Sequence, residues 1–204
     1  MTDGSRFYID GQWVEPVRPG DEIVVVDPAT EEEVGKVAAA SVADVDAAVQ
    51  AARRAFTGWS RTTRDERLDL LLALREEYKR RIPRIAEAMT TEVGIPRGLA
   101  AGGQALAGAS HLREAAEALR SFPLEQDWGS TRIRREPVGV CALLAPWNWP
   151  MNQVTCKVAP ALAAGSIALG TWCAFRFNFG SAGELLVLTA LTALLVAFFG
   201  SLVP

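Results

Sequence analysis

The segment from Arg135 to Gly165 reads REPVGVCALLAPWNWPMNQVTCKVAPALAAG. Val138 to Ala145 (VGVCALLA) is an unbroken apolar run, the pattern of a parallel strand buried on both faces. Pro146-Trp147-Asn148-Trp149-Pro150 follows as a loop, because its two prolines interrupt regular backbone hydrogen bonding. Met151 to Ala164 carries a helical pattern, and Gly165 ends it by supplying a left-handed residue. Strand, loop, helix is the opening of a nucleotide-binding βαβ unit, in which ligands sit beyond the carboxyl ends of the strands.

Upstream, the signals are those of short strands followed by helices. Phe7 to Ile9 and Gln12 to Val14 flank Asp10-Gly11, a pair that tolerates the positive φ of a tight hairpin. Ile23 to Val26 and Val34 to Ala38 flank the turn residues Asp27-Pro28-Ala29-Thr30. Ser41 with Asp44, and Thr63 with Glu66, have capping-box spacing. The first predicts a helix carrying Val42, Val45, Ala48, Val49, Ala52 and Phe56 on its apolar positions. The second predicts a helix carrying Leu68, Leu71, Leu72, Leu74 and Tyr78, interrupted at Pro83 and ended at Gly94. A third helix is expected from about Leu99 to Ser121, and Thr131 to Glu136 reads as a strand.

The chemistry-bearing candidates lie in the loop and the helix after it. Two prolines fix the backbone around Asn148, so its amide can be aimed with little ordering cost. An amide N–H is a neutral donor suited to an oxyanion that forms only in the transition state. Lys157 lies nine residues on, within the helix, and is a candidate for proton transfer if the fold takes its amine out of water. The same residues also read as a rigid aromatic turn and a solvated helix lysine, and composition alone favours that plainer reading. A single histidine, His111, excludes a histidine-based metal site or triad and reads as a surface or packing residue. Cys141, Cys156 and Cys173 read as structural, the first buried in its strand, the second angled away from Lys157 on the helix and the third in the stretch after Gly165. No metal is expected.

The composition breaks sharply near residue 165. The 204 residues carry 21 Lys+Arg and 24 Asp+Glu, a net charge of -3, with no basic excess for nucleic acid. Of these 45 charged residues, only Arg176 and Glu184 fall after Gly165. Leu185 to Val203 is uncharged and, as a helix at about 1.5 Å per residue, comes close to the ~30 Å of a bilayer core. A membrane span, a buried helix, or a translated segment foreign to the fold are all open for it. Three Cys without paired spacing suit a reducing compartment, and MTDGSR does not open a signal peptide.

The Arg135–Gly165 segment resembles the aldehyde dehydrogenase superfamily. So do FYIDGQWVEP (Phe7 to Pro16), the stretch from Val25 to Phe56, and TTEVGIP (Thr90 to Pro96). The PWNWP block is the most specific of these. The resemblance runs from about Phe7 to Gly165 and covers only the opening part of the family pattern. It implies oxidation of an aldehyde with NAD or NADP, through a cysteine thiolate that attacks the carbonyl and a glutamate that assists hydrolysis. It implies that Asn148 is the oxyanion-stabilising residue and that Ala145, Pro146, Trp147 and Asn148 lie along the cofactor. It places Lys157 in a proton relay and turns Met151 and Gln153 toward a substrate channel. The strand around Arg132 to Glu136 resembles part of the family's oligomerisation hairpin, which implies a homo-oligomer.

The chain departs from that pattern after Gly165. Where the family has a strand and then Lys-Pro-Ser-Glu, whose Lys and Glu hold the adenosine ribose, Ser166-Ile167-Ala168-Leu169-Gly170-Thr171-Trp172 stands. Glu184-Leu185 leads to Leu186-Val187 rather than Gly-Gly, and neither Gly11-Gln12 nor Gly103-Gln104 leads to Cys. The expectation is an α/β fold: an incomplete aldehyde-dehydrogenase-like, Rossmann-type domain over 1–165 with an N-terminal helical region. A divergent apolar tail over 166–204 would end in an apolar helix over 185–203. The expected protein is cytoplasmic, shortened by a frameshift, a premature stop or a gene-model error, and inactive alone. The competing expectation is a membrane-anchored, non-enzymatic protein held by residues 185–203.

Overall fold

The structure, a computed structural model, describes residues 5–17 and 22–170. The segment 185–203 lies outside the described residues, so the expected apolar C-terminal helix receives no support. No helix among the described residues is long and apolar enough to cross a membrane.

The chain opens with two antiparallel hairpins. Strands β1 (Phe7–Ile9) and β2 (Gln12–Val14) pair around Asp10 and Gly11, both at positive φ (56° and 78°) as a primed turn requires. Strands β3 (Glu22–Val26) and β4 (Glu33–Ala38) pair with a register shift at Val25/Val26 and bury Val25 and Val37 between them.

Helix α1 (Val42–Trp59) starts at a complete capping box. The Asp44 carboxylate, 3% exposed, accepts from the Ser41 amide (2.8 Å), the Ser41 hydroxyl (2.6 Å) and the Val17 amide (2.8 Å). Desolvation pushes its pKa up, but these three donors outweigh that and hold it below the ordinary 3.8. The cap thereby also ties the chain after β2 to the helix.

Helix α2 (Arg64–Val93) also starts at a capping box, Thr63 with Glu66, and ends at Gly94 in the left-handed region (φ 75°). It runs unbroken through Pro83, contrary to the expected interruption. Pro83 is exposed, so water can serve the carbonyl its missing amide leaves free. Buried Leu71, Leu74 and Tyr78 before it, and Ile85, Ala86 and Met89 after it, hold both halves on one core. At roughly 2 kcal/mol per buried large side chain, that packing exceeds the ~3 kcal/mol a helix-interior proline costs.

The third helical stretch begins earlier than expected and is not regular. A short α3 (Arg97–Leu99) passes into a π-helical turn, Ala100–Gln104, before α4 (Ala105–Ser121). The π turn contains Gly102-Gly103, where helix preference is weakest. Helices α2 and α4 run antiparallel: Arg64 donates to the carbonyls of Arg120 and Phe122, while the Tyr78 hydroxyl donates to the Ala105 carbonyl at 2.6 Å. They pack closely because Gly108 lies against the Tyr78 ring, where a Cβ would collide.

Strands β5 (Glu125–Trp128) and β6 (Thr131–Arg134) form an exposed hairpin around Gly129 (φ 60°). Sequence reading found the second strand and missed the first, whose Glu-Gln-Asp-Trp lacks the β-branched signature.

Strand β7 (Val140–Leu143), helix α5 (Pro150–Ala163) and strand β8 (Ile167–Gly170) make one βαβ unit, β7 and β8 pairing in parallel. The parallel strand is as expected, and β8 extends the unit past the boundary at Gly165. The expected burial on both faces is absent, since Cys141 is half-buried and Ala142 exposed. This sheet has two described strands, and although α1 and α5 both pack on it, they do not cover all of it. The Ser166 hydroxyl accepts from the Val138 amide (3.2 Å), and the Ile167 amide donates to the Gly139 carbonyl (3.0 Å), fixing how the strands start together. The main core joins α2, α4 and α5, with Leu71, Met89, Leu112 and Met151 almost wholly buried.

Candidate active site at the end of the parallel strand

The loop from Ala145 to Trp149 leaves the carboxyl end of β7 and enters α5. Ala145 is buried and anchors it, and Pro150, also buried, occupies the first helical position, where a missing amide costs nothing. Between these anchors Pro146, Trp147, Asn148 and Trp149 are all exposed, the two indoles at 38% and 42%. The structure thus gathers Ala145, Pro146, Trp147 and Asn148 in one loop, with the Asn148 amide at the surface beside the positive end of α5.

Lys157 stands apart from that loop. It lies seven residues beyond Pro150, about 10 Å along the helix axis. Its ammonium turns back to the Gln153 carbonyl (3.0 Å) and side-chain oxygen (3.2 Å). Cys156 Sγ bonds the same Gln153 carbonyl at 3.5 Å, which brings Lys157 Nζ to 4.0 Å from the sulfur. The angular separation of neighbouring helix residues is overcome because the long lysine chain folds over the preceding turn to an acceptor the two residues share. Met151 does not face an open channel: it is wholly buried in the helical core. Gln153 is half-buried and committed to Lys157. Cys141 and Cys156 are free thiols, and Cys173 lies outside the described residues.

Arg67, His111 and Asn152 hold the frame around this loop, with Gly165 leaving Arg67 its room. Arg67 is 5% exposed and donates from Nε to the Thr62 hydroxyl (3.0 Å), and from its two terminal nitrogens to the carbonyls of Ser60 (3.2 Å) and Ala163 (3.5 Å). These carbonyls close α1 and α5, so one cation sits on the negative ends of two helices. Gly165 (φ 78°) lets the guanidinium approach, since a Cβ would stand 2.5 Å from it. His111 Nε2 and Asn152 Oδ1 lie 2.8 Å apart and join α4 to the first turn of α5. Only the lone histidine gave a signal in the sequence. Among the described residues no cluster of three or more His, Cys, Asp or Glu is placed to hold a metal.

Comparison with known proteins matches the Aldehyde dehydrogenase family model over residues 13–169. This chain belongs to the aldehyde dehydrogenase family. It is 51% identical over 166 residues to 3-succinoylsemialdehyde-pyridine dehydrogenase of a Pseudomonas species, a match over 81% of this chain and 35% of that protein. Among solved structures, a mutant of aldehyde dehydrogenase C from Pseudomonas syringae, complexed with NAD+ and octanal, superposes with a TM-score of 0.86 at 40% identity. That match covers 99% of this chain and 39% of the other. The aldehyde dehydrogenase of Bartonella henselae gives 0.86 at 32% identity, over 99% and 41%. The chain therefore spans little more than a third of the length of the family members it matches.

Proposed function

We propose that this chain carries the oxyanion-binding part of an aldehyde-oxidising, NAD(P)-dependent site, and that by itself it does not turn over. The observation that carries the reading is the exposed Asn148 amide on a proline-bounded loop at the carboxyl end of a parallel strand. In this reading an aldehyde oxygen lies against the Asn148 N–H, which strengthens its hydrogen bond as the oxygen gains charge. One such donor contributes roughly 10²–10³ in rate in enzymes that use one. Ala145, Pro146 and Trp147 would offer backbone to the nicotinamide end of the dinucleotide, which when bound accepts hydride.

The residues fit that group only in part. The loop beyond β7 suits the nicotinamide end. The ribose end has no match, because Thr171-Trp172 follows β8 where the family pattern has Lys and Glu. Neither thiol among the described residues is placed as the nucleophile. Cys141 is on β7, ahead of the loop, and Cys156 is six residues into α5, about 9 Å along its axis, bonded to Gln153. Losing a catalytic nucleophile costs several orders of magnitude in rate.

The test is reduction of NAD and NADP by the purified chain with a panel of aldehydes, beside Asn148→Ala. We expect no reduction from either protein. Turnover by the unaltered chain that disappears with Asn148→Ala would overturn the proposed inactivity while supporting the role of Asn148.

A further inference from the structure

We propose that the groove between α2 and α4 binds an aliphatic monocarboxylate, its charged end held by Arg75 and Arg113 and its tail lying toward Ile82. The groove has a volume of about 450 Å³, within the ordinary range of small-molecule pockets. Arg75, Lys79 and Ile82 fall at i, i+4 and i+7 on α2, and Leu106, Ala109 and Arg113 at i, i+3 and i+7 on α4, so each set shares one helix face.

The antiparallel run of the two helices orders these residues along the groove. Arg64 meets Arg120 and Tyr78 meets Ala105, so Arg75 and Arg113 lie toward one end, Lys79 falls opposite Leu106, and Ile82 lies beyond Leu106 at the other end. Ala109 is buried and Ile82 half-buried, giving an apolar base, while Leu106 is 43% exposed although it lines a groove. The three cations share two carboxylates: Arg75 and Lys79 both contact Glu76 (2.8 and 2.9 Å), and Arg113 contacts Glu114 (2.6 Å). The groove keeps a positive excess in a chain whose net charge is -3. Arg75 Nε is moreover buried without a hydrogen-bond partner. A buried donor of this kind calls for an acceptor, and a carboxylate that draws the guanidinium into the groove supplies one. Two guanidiniums toward one end of an apolar trough, with Lys79 partway along it, suit a single anionic head with a tail, not a polyanion.

The experiment is titration of the full chain with octanoate, followed by amide chemical shifts, beside octanol (the tail without the charge) and acetate (the charge without the tail). Saturable octanoate shifts confined to residues 75–83 and 106–113 are expected, with octanol and acetate each at least about tenfold weaker. The Arg75→Gln/Arg113→Gln double variant, altered at side chains that reach solvent, should weaken octanoate about tenfold, or 1.4 kcal/mol, with unchanged helicity. Leu106→Ser should weaken it by shortening the apolar base, and Asn148→Ala should leave it unchanged. Equal binding of octanol and octanoate, shifts centred on residues 145–149, indifference to the double variant, or no saturable binding would each overturn the proposal.

Discussion

Arg67 shows how one side chain can set the relation between elements far apart in sequence. Its guanidinium lies on the closing carbonyls of α1 and α5, and Gly165 leaves it room. Hydrogen bonds to a charged group are worth about 1.5–3 kcal/mol each, and two half-buried carbonyls would lose their charged donor. Arg67→Met should therefore lower unfolding free energy by about 3 kcal/mol in urea titration. Gly165→Ala should lower it by about 1–3 kcal/mol, from the positive φ and the contact together. Because the two residues touch, the double variant should lose less than the sum of the two. Glu92 makes the opposite case. Its carboxyl is largely buried near the end of α2, Oε2 has no partner, and desolvation raises its pKa from 4.5 to about 7. For an acid whose folded pKa lies above its unfolded one, the folded state holds the extra proton between the two values. The contribution of Glu92 to stability is then greatest below pH 4.5 and is lost as pH rises from there through about 7. Glu92→Gln should raise the melting temperature at pH 8 and leave it nearly unchanged at pH 4, and an equal shift at both would refute this.

Among the elements, the α2–α4 pair depends on absence of volume. Replacing Gly108 by Ala would ordinarily strengthen a helix by about 1 kcal/mol. Here the added Cβ meets the Tyr78 ring, which is itself held by the Ala105 carbonyl and cannot easily turn away. Overpacking costs about 1–3 kcal/mol, so Gly108→Ala should destabilise the chain despite better propensity, and chemical denaturation would show it. The same scale explains where local rules misled. Pro83 is a breaker by propensity, yet tertiary packing on both sides carries α2 through it. The π turn at Ala100–Gln104 left no periodic trace, because inserting one residue in a helix changes register without changing composition.

Across the whole molecule, stability is unevenly shared. The α2–α4–α5 core is dense, whereas β7 and β8 pair in a parallel sheet in which no residue of β7 is fully buried and Ala142 is exposed. Among the described residues no further strand pairs with these two, a two-stranded sheet is marginal, and local opening follows poor burial. Amide hydrogen exchange should be markedly faster at Val140–Leu143 than at Leu71–Met89, and equal protection would show that the sheet is better covered than described. The loop that carries Asn148 hangs from this weaker part.

Local chemistry alone was enough for the caps at Ser41 and Thr63, the Asp10-Gly11 turn, the stop at Gly94 and the strand–loop–helix around Asn148. Each depends on contacts within a few residues, and such contacts are written in spacing. The Arg67 clamp, the His111–Asn152 bond, the burial of Met151 and the passage of α2 through Pro83 join or rest on partners tens of residues apart. Free energy of that kind comes from surfaces meeting in space, and no linear pattern records which surfaces meet.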